Sequence, residues 1–281
     1  MKNVKINLKN AASKFMLFVF AAAVVINFNA CNKNDDPGTD PSENYEAGQI
    51  PGLGGFEGDL TGTPFHLPDG VELTEDITGA VNQSNYWDWS SFYAYGYSPR
   101  LFINKDGSIE TKPVTLRAQN EDEPIIHYHG SGRGYVDLLL PLRNTRSTPV
   151  TITFPAATIL ASKAGDCQNG VLIKKVTVTI PANSIYRLCL SFYCGNAHKS
   201  AAGGYDIYIL GVVSNAGPLL ELCELVKNKK INLEEFSRTS YDDYATYQSQ
   251  TSSLQSIVWS VTDYDGIDED DIAYIKSLPN S

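Results

Sequence analysis

From Tyr186 to Cys194 the chain alternates. Tyr186, Leu188, Leu190, Phe192 and Cys194 are apolar, with Arg187, Cys189 and Ser191 between them, which is the two-residue period of a half-buried strand. The period puts Cys194 at the strand end on the apolar face and Cys189 on the other. Residues 135–142, 150–154, 170–180, 184–193 and 205–213 are further β-rich runs, separated by Pro, Gly, Asn and Ser. Asn104-Lys105-Asp106-Gly107 between two short apolar runs predicts a hairpin. After Gly217-Pro218 the period becomes helical. Leu219, Leu222, Cys223 and Val226 follow i, i+3, i+4, i+7, and Leu254, Ile257, Val258 and Val261 repeat that spacing. Asp268 is placed to cap a third helix running through Ile272 and Ile275 to Leu278, with Glu269, Asp270 and Asp271 in its first turn. The expected fold is mainly β with α: an antiparallel β-sandwich-like body carrying a helical C-terminal layer.

The N-terminal part follows a different pattern. Lys2, Lys5, Lys9 and Lys14 precede an apolar run from Phe15 to Ile26, too short to span a bilayer comfortably, and Phe28-Asn29-Ala30-Cys31 follows. Residues 1–30 are therefore expected to be a signal peptide. Phe28-Asn29-Ala30-Cys31 resembles a loose lipobox, and Asn32-Lys33-Asn34-Asp35-Asp36 resembles the export tag of Bacteroidetes surface lipoproteins. The resemblance implies lipidation at Cys31, anchoring in the outer membrane and display on its outer side. Residues 31–58 are poor in aliphatics and predict a disordered acidic tether. Residues 59–281 then form the β-rich domain with its helices, with a sub-boundary near 120–134.

Charge narrows the choice of partners. Removing a leader with four lysines and no acid takes the formal charge from −10 to −14. That balance disfavours nucleic acid and anionic lipid surfaces. Cys167, Cys189, Cys194 and Cys223 remain in the body, enough for two disulfides in three connectivities.

Four constellations carry candidate chemistry. Tyr193-Cys194 and Gln255-Ser256-Ile257-Val258-Trp259 resemble the thioester domains of bacterial surface adhesins, whose aromatic-Cys strand and later Gln-containing helix join sulfur to the side-chain carbonyl. Carried over, Cys194 supplies the sulfur and Gln255 the acyl carbon. Here Ser256 stands where that family has Ala, and 61 residues separate the pair. The segment from Tyr86 to Tyr97 holds seven aromatics in twelve residues. Facing outward, Trp87, Trp89, Tyr93 and Tyr95 form a glycan-stacking platform; facing inward they are core. His127 and His129 flank Tyr128 and project together on a strand, with no third ligand spaced to complete a metal site. Asp263 and Asp265 resemble part of a calcium loop, but Val261 and Ile272 occupy the positions of its first and last acids.

With four histidines and no Gly-x-Ser-x-Gly, His-Glu-x-x-His or P-loop pattern, the sequence favours a non-enzymatic protein without a cofactor. The expected function is adhesion or ligand binding to a surface protein or glycan. The alternatives are a glycan-binding accessory lipoprotein and a hydrolase with carboxylates distant in sequence.

Overall fold

Short alternating runs bounded by turn residues become thirteen strands in the computed structural model, which describes residues 45–80, 86–87, 101–103, 109–111, 125–132 and 136–281. They are β1 (Thr63–Pro64), β2 (Val71–Leu73), β3 (Ile77–Gly79), β4 (Leu101–Ile103), β5 (Ile109–Thr111), β6 (Ile126–Gly130), β7 (Val136–Asn144), β8 (Val150–Phe154), β9 (Thr158–Ser162), β10 (Gly170–Val171), β11 (Val176–Ile180), β12 (Ile185–Cys194) and β13 (Ile207–Val213). The helices are α1 (Gly217–Val226), α2 (Tyr241–Asp263) and α3 (Glu269–Ser277).

The mainly-β body with C-terminal helices is present, but the sheet closes on itself. Pairing runs β7-β3-β13-β9-β10-β12 and returns from β12 to β7, so six antiparallel strands form a barrel. Strand β2 adds to β7, β1 to β13, and β6 runs parallel to β12. The two separate facing sheets expected from the alternation are thus largely one curved sheet. Two-residue periodicity is the same in a sandwich strand and a barrel strand, so closure leaves no local mark on the pattern. Curvature does leave one, at Gly211. The register of β13 against β9 shifts between Leu210 and Val212, and a Cβ on Gly211 would collide with the Ile159 carbonyl oxygen.

The barrel interior is filled by Leu138, Leu140 and Leu142 from β7, by Leu188, Leu190, Phe192 and Cys194 from β12, and by Ile77, Leu160 and Tyr208. The β8–β11 ribbon adds Val150, Ile152, Phe154, Val176, Val178 and Ile180 to the same cluster, while its intervening threonines face out. A second core lies between the strands and helices. Tyr193, Ile159, Val171 and Ile173 meet Leu219, Leu222 and Val226 of α1 and Leu254, Ile257, Val258 and Val261 of α2. Strand β12 is therefore covered on both faces. Cys189, expected on the polar face, is buried as well.

Helix starts follow their caps. Ser240 accepts from the Asp243 N–H, and Asp268 accepts from the Asp271 N–H at 2.8 Å. Helix α2 begins well before the apolar spacing that predicted it. Its first turns are mostly polar, and Tyr247 secures them by packing with Trp87 and Phe236.

The strand pairing expected around residues 104–107 is present as β4 against β5. Of the predicted tether, the stretch from Tyr45 to Gly58 lies within the described residues and is docked. Ile50 and Leu53 are fully buried in the second core, contributing about 1.5–3 kcal/mol each. Composition reads this stretch as too polar to order itself. Two apolar side chains suffice because a preformed surface receives them.

Candidate functional site

Cys194 is the last residue of β12, paired with Gly170 while Tyr193 pairs with Val171. Beyond it the chain turns sharply and is held by asparagines. The Gly195 N–H donates to the Asn169 carbonyl at 2.9 Å. Asn196 accepts the Asn169 N–H on Oδ1 at 2.9 Å, and its Nδ2 donates to the Gly52 and Gly54 carbonyls at 3.2 and 3.0 Å. The Asn196 N–H points back at the Cys194 sulfur, 3.4 Å away. A turn from Asn196 to Lys199 closes through the Lys199 N–H on the Asn196 carbonyl and places Ala197 and His198 at its corner.

Helix α2 meets this strand end with three residues one turn apart, Gln255, Trp259 and Asp263, which share a helix face. Gln255 grips Cys194 from both sides. Its Oε1 accepts the Cys194 N–H at 2.8 Å, and its Nε2 donates to the Cys194 carbonyl at 2.9 Å. The Trp259 indole N–H donates to the Cys194 sulfur at 3.4 Å. Asp263 accepts the Ala197 N–H at 3.1 Å and the Thr262 hydroxyl at 2.7 Å, and its carboxylate lies 3.9 Å from Nδ1 of His198. The sequence-predicted pair is brought together across 61 residues. Asn196 and His198 were missed, and Asp263 was read only as part of a calcium-loop-like fragment. Asp263 continues the four-residue spacing from Gln255 through Trp259, a signal that was present in the sequence. Asn196 offers none, because its role arises from a turn that tertiary contacts create.

The strap from Tyr45 to Gly58 ties both sides of the site together. The Gly54 N–H donates to the Gly195 carbonyl at 2.7 Å, and the Gly48 N–H to the Val261 carbonyl of α2 at 2.9 Å. Gly54 has φ +54°, and a Cβ there would strike the Thr262 carbonyl oxygen. The strap therefore touches the loop after the thiol and the helix end beyond the carboxamide.

Burial pushes the Cys194 thiol above its ordinary range. The Trp259 and Asn196 N–H groups on the sulfur pull it part of the way back, while the Asp263 charge opposes ionisation. The donors on sulfur are neutral N–H groups, whereas hydrolytic cysteines use a cationic partner to lower the thiol. What the arrangement offers is a carboxamide held against the main chain of the residue that carries the thiol, with two N–H donors on the sulfur ready for charge that develops there.

The other candidates are placed elsewhere. Trp87 is 1% exposed, with ring centroids 5.0 to 5.7 Å from Tyr86, Tyr244 and Tyr247, so it belongs to an aromatic core and not to an outward platform. Trp89, Tyr93, Tyr95 and Cys31 lie outside the described residues. On β6 the two histidines do not act together. His127 stacks on Tyr186 at 4.1 Å and its pKa is lowered by burial and by His129, while His129 lies 3.8 Å from Glu234. Asp265 is exposed and Asp263 turns toward the Cys194 loop. Among the described residues no three metal-binding side chains are gathered. Cys167, Cys189, Cys194 and Cys223 are buried free thiols. Burial pushes Cys167 and Cys223 up to about 12.

Comparison with protein-family models, with curated proteins and with solved structures found no match to this chain.

Proposed function

We propose that this is a surface-exposed lipoprotein acting in adhesion, and that Cys194 and Gln255 form an internal thioester by which it attaches to an amine on a surface protein or glycan. The observation that carries the reading is the two-sided grip of the Gln255 carboxamide on the main chain of Cys194, with the Trp259 indole N–H on that residue's sulfur. In the closing step the sulfur attacks Cδ of Gln255, the C–N bond breaks, and the thiol proton leaves with nitrogen as ammonia. Proximity supplies the driving geometry and burial keeps water from the product.

Intact mass of the unreduced protein tests this directly. The thioester form is expected to be lighter than the calculated chain by about 17 Da and to gain a methylamine adduct at Gln255 as Cys194 becomes alkylatable. The full calculated mass overturns the reading.

Anchoring at Cys31 follows from the leader and the Lys33-Asn34-Asp35-Asp36 run. Cys31→Ala is expected to move the protein from the membrane to the soluble fraction, and surface proteolysis of intact cells checks its outward display. Wild-type protein that stays protected under that treatment faces inward. Among the described residues no helix is long and apolar enough to cross a membrane.

A further inference from the structure

An acyl-transfer site that captures amines has to dispose of a proton. A neutral amine that has added to a carbonyl must lose a proton, and the sulfur it displaces must regain one. A positioned base that takes up the first and returns the second is worth ~10²–10⁴-fold in rate.

One imidazole stands beside this site. His198 lies at the corner of the turn whose first residue donates to the Cys194 sulfur, and it is 54% exposed at its side chain. Its Nδ1 faces the Asp263 carboxylate at 3.9 Å, which leaves Nε2 as the ring's other nitrogen. Asp263 is only 8% exposed at its side chain, is fixed by the Ala197 N–H and the Thr262 hydroxyl, and lies one turn beyond Trp259 on the face that carries Gln255. A buried, doubly bonded carboxylate behind a solvent-facing imidazole is an arrangement that orients a base.

We propose that His198 is the proton acceptor for the amine that opens the thioester, and that Asp263 is its positioning residue; the proposal rests on the acyl-transfer reading above. The amine nitrogen adds to Cδ of Gln255, and its proton passes to Nε2 of His198. The Cδ–S bond then breaks with its electron pair on sulfur, where the Trp259 and Asn196 N–H groups receive the charge. The imidazolium returns the proton to sulfur. Gln255 ends as a secondary amide, Cys194 as a thiol and His198 as neutral imidazole. The amine is expected to enter from the exposed side of the turn.

The test uses the mature full chain, methylamine as probe, and two readouts: intact mass before amine, and the rate of thiol release after it. His198→Ala is expected to retain the mass deficit of about 17 Da, because the residue is exposed and makes no part of either core, and to release its thiol about a hundredfold more slowly. Added imidazole is expected to restore part of that rate, which a merely structural role would not allow. Asp263→Asn keeps an acceptor for the Ala197 N–H and is expected to slow release, yet to add little when combined with His198→Ala. Wild-type rates in His198→Ala, or a slow variant that imidazole does not accelerate, overturn the assignment of His198. Additive effects remove Asp263 from the pair. Wild-type protein of full calculated mass, read before any amine is added, fails the thioester itself and takes this assignment with it, so the two failures are told apart by the first readout.

Discussion

In a Cys194→Ala background, where no covalent bond can form, adding Gln255→Ala is expected to lower stability by about 2–6 kcal/mol. The carboxamide satisfies the N–H and the carbonyl of residue 194, both deep between β12 and α2. Truncation leaves two buried main-chain groups without partners, at about 1–3 kcal/mol each. For a domain of this length that corresponds to a fall in Tm on the order of 10 °C. Chemical denaturation of the two proteins measures the difference. A change below about 1 kcal/mol would show that the grip contributes no stability, leaving chemistry as its only role. The same comparison separates a mechanical staple from a reactive pair, because it reads the hydrogen bonds with the sulfur removed.

Trp87→Ala is expected to cost about 3–5 kcal/mol, as large aromatic truncations in a core do. Its indole is packed against Tyr86, Tyr244 and Tyr247, and Tyr247 in turn donates to the Gly132 carbonyl at 2.9 Å. The cavity opens where the first turns of α2 meet the loop after β6, so loss of helix near Tyr247 accompanies the loss of stability. Hydrogen exchange along α2 measures it. If Trp87→Ala folded with unchanged stability while losing retention on a polysaccharide, the ring would belong to a binding surface after all.

The helices and strands were legible where local pattern decides them. Asp268 caps α3, and the Leu219 and Leu254 spacings mark the buried faces of α1 and α2. Cys194 could be found because it ends an alternating strand, and Gln255 because Gln255 to Trp259, beside an apolar stripe, resembles the helix motif of thioester domains. Their meeting depends on α2 crossing the end of β12, which no local period encodes. Barrel closure was illegible for the same reason. The pairing of β7 with both β3 and β12 joins residues far apart in sequence, and only the irregularity at Gly211 hints at curvature. Trp87 shows the converse problem. An aromatic run reads identically as platform or core until Phe236 and Tyr247 arrive from beyond residue 230 to cover it.

The strap gives the molecule a mechanical order. Among the described residues Tyr45 to Gly58 comes first in the chain, and it is held by two buried aliphatic side chains, by the packing of Tyr45 and by hydrogen bonds. Those bonds end on Gly195, Asn196 and Val261, and on Asn169 just before β10. Pulling the strap free strips Asn196 of two partners and releases the turn that aims its N–H at sulfur, while β7 and β12 stay paired along eight residues of register. A pull applied from the N-terminal side is therefore expected to disturb the turn that holds the thiol while β7 and β12 remain paired.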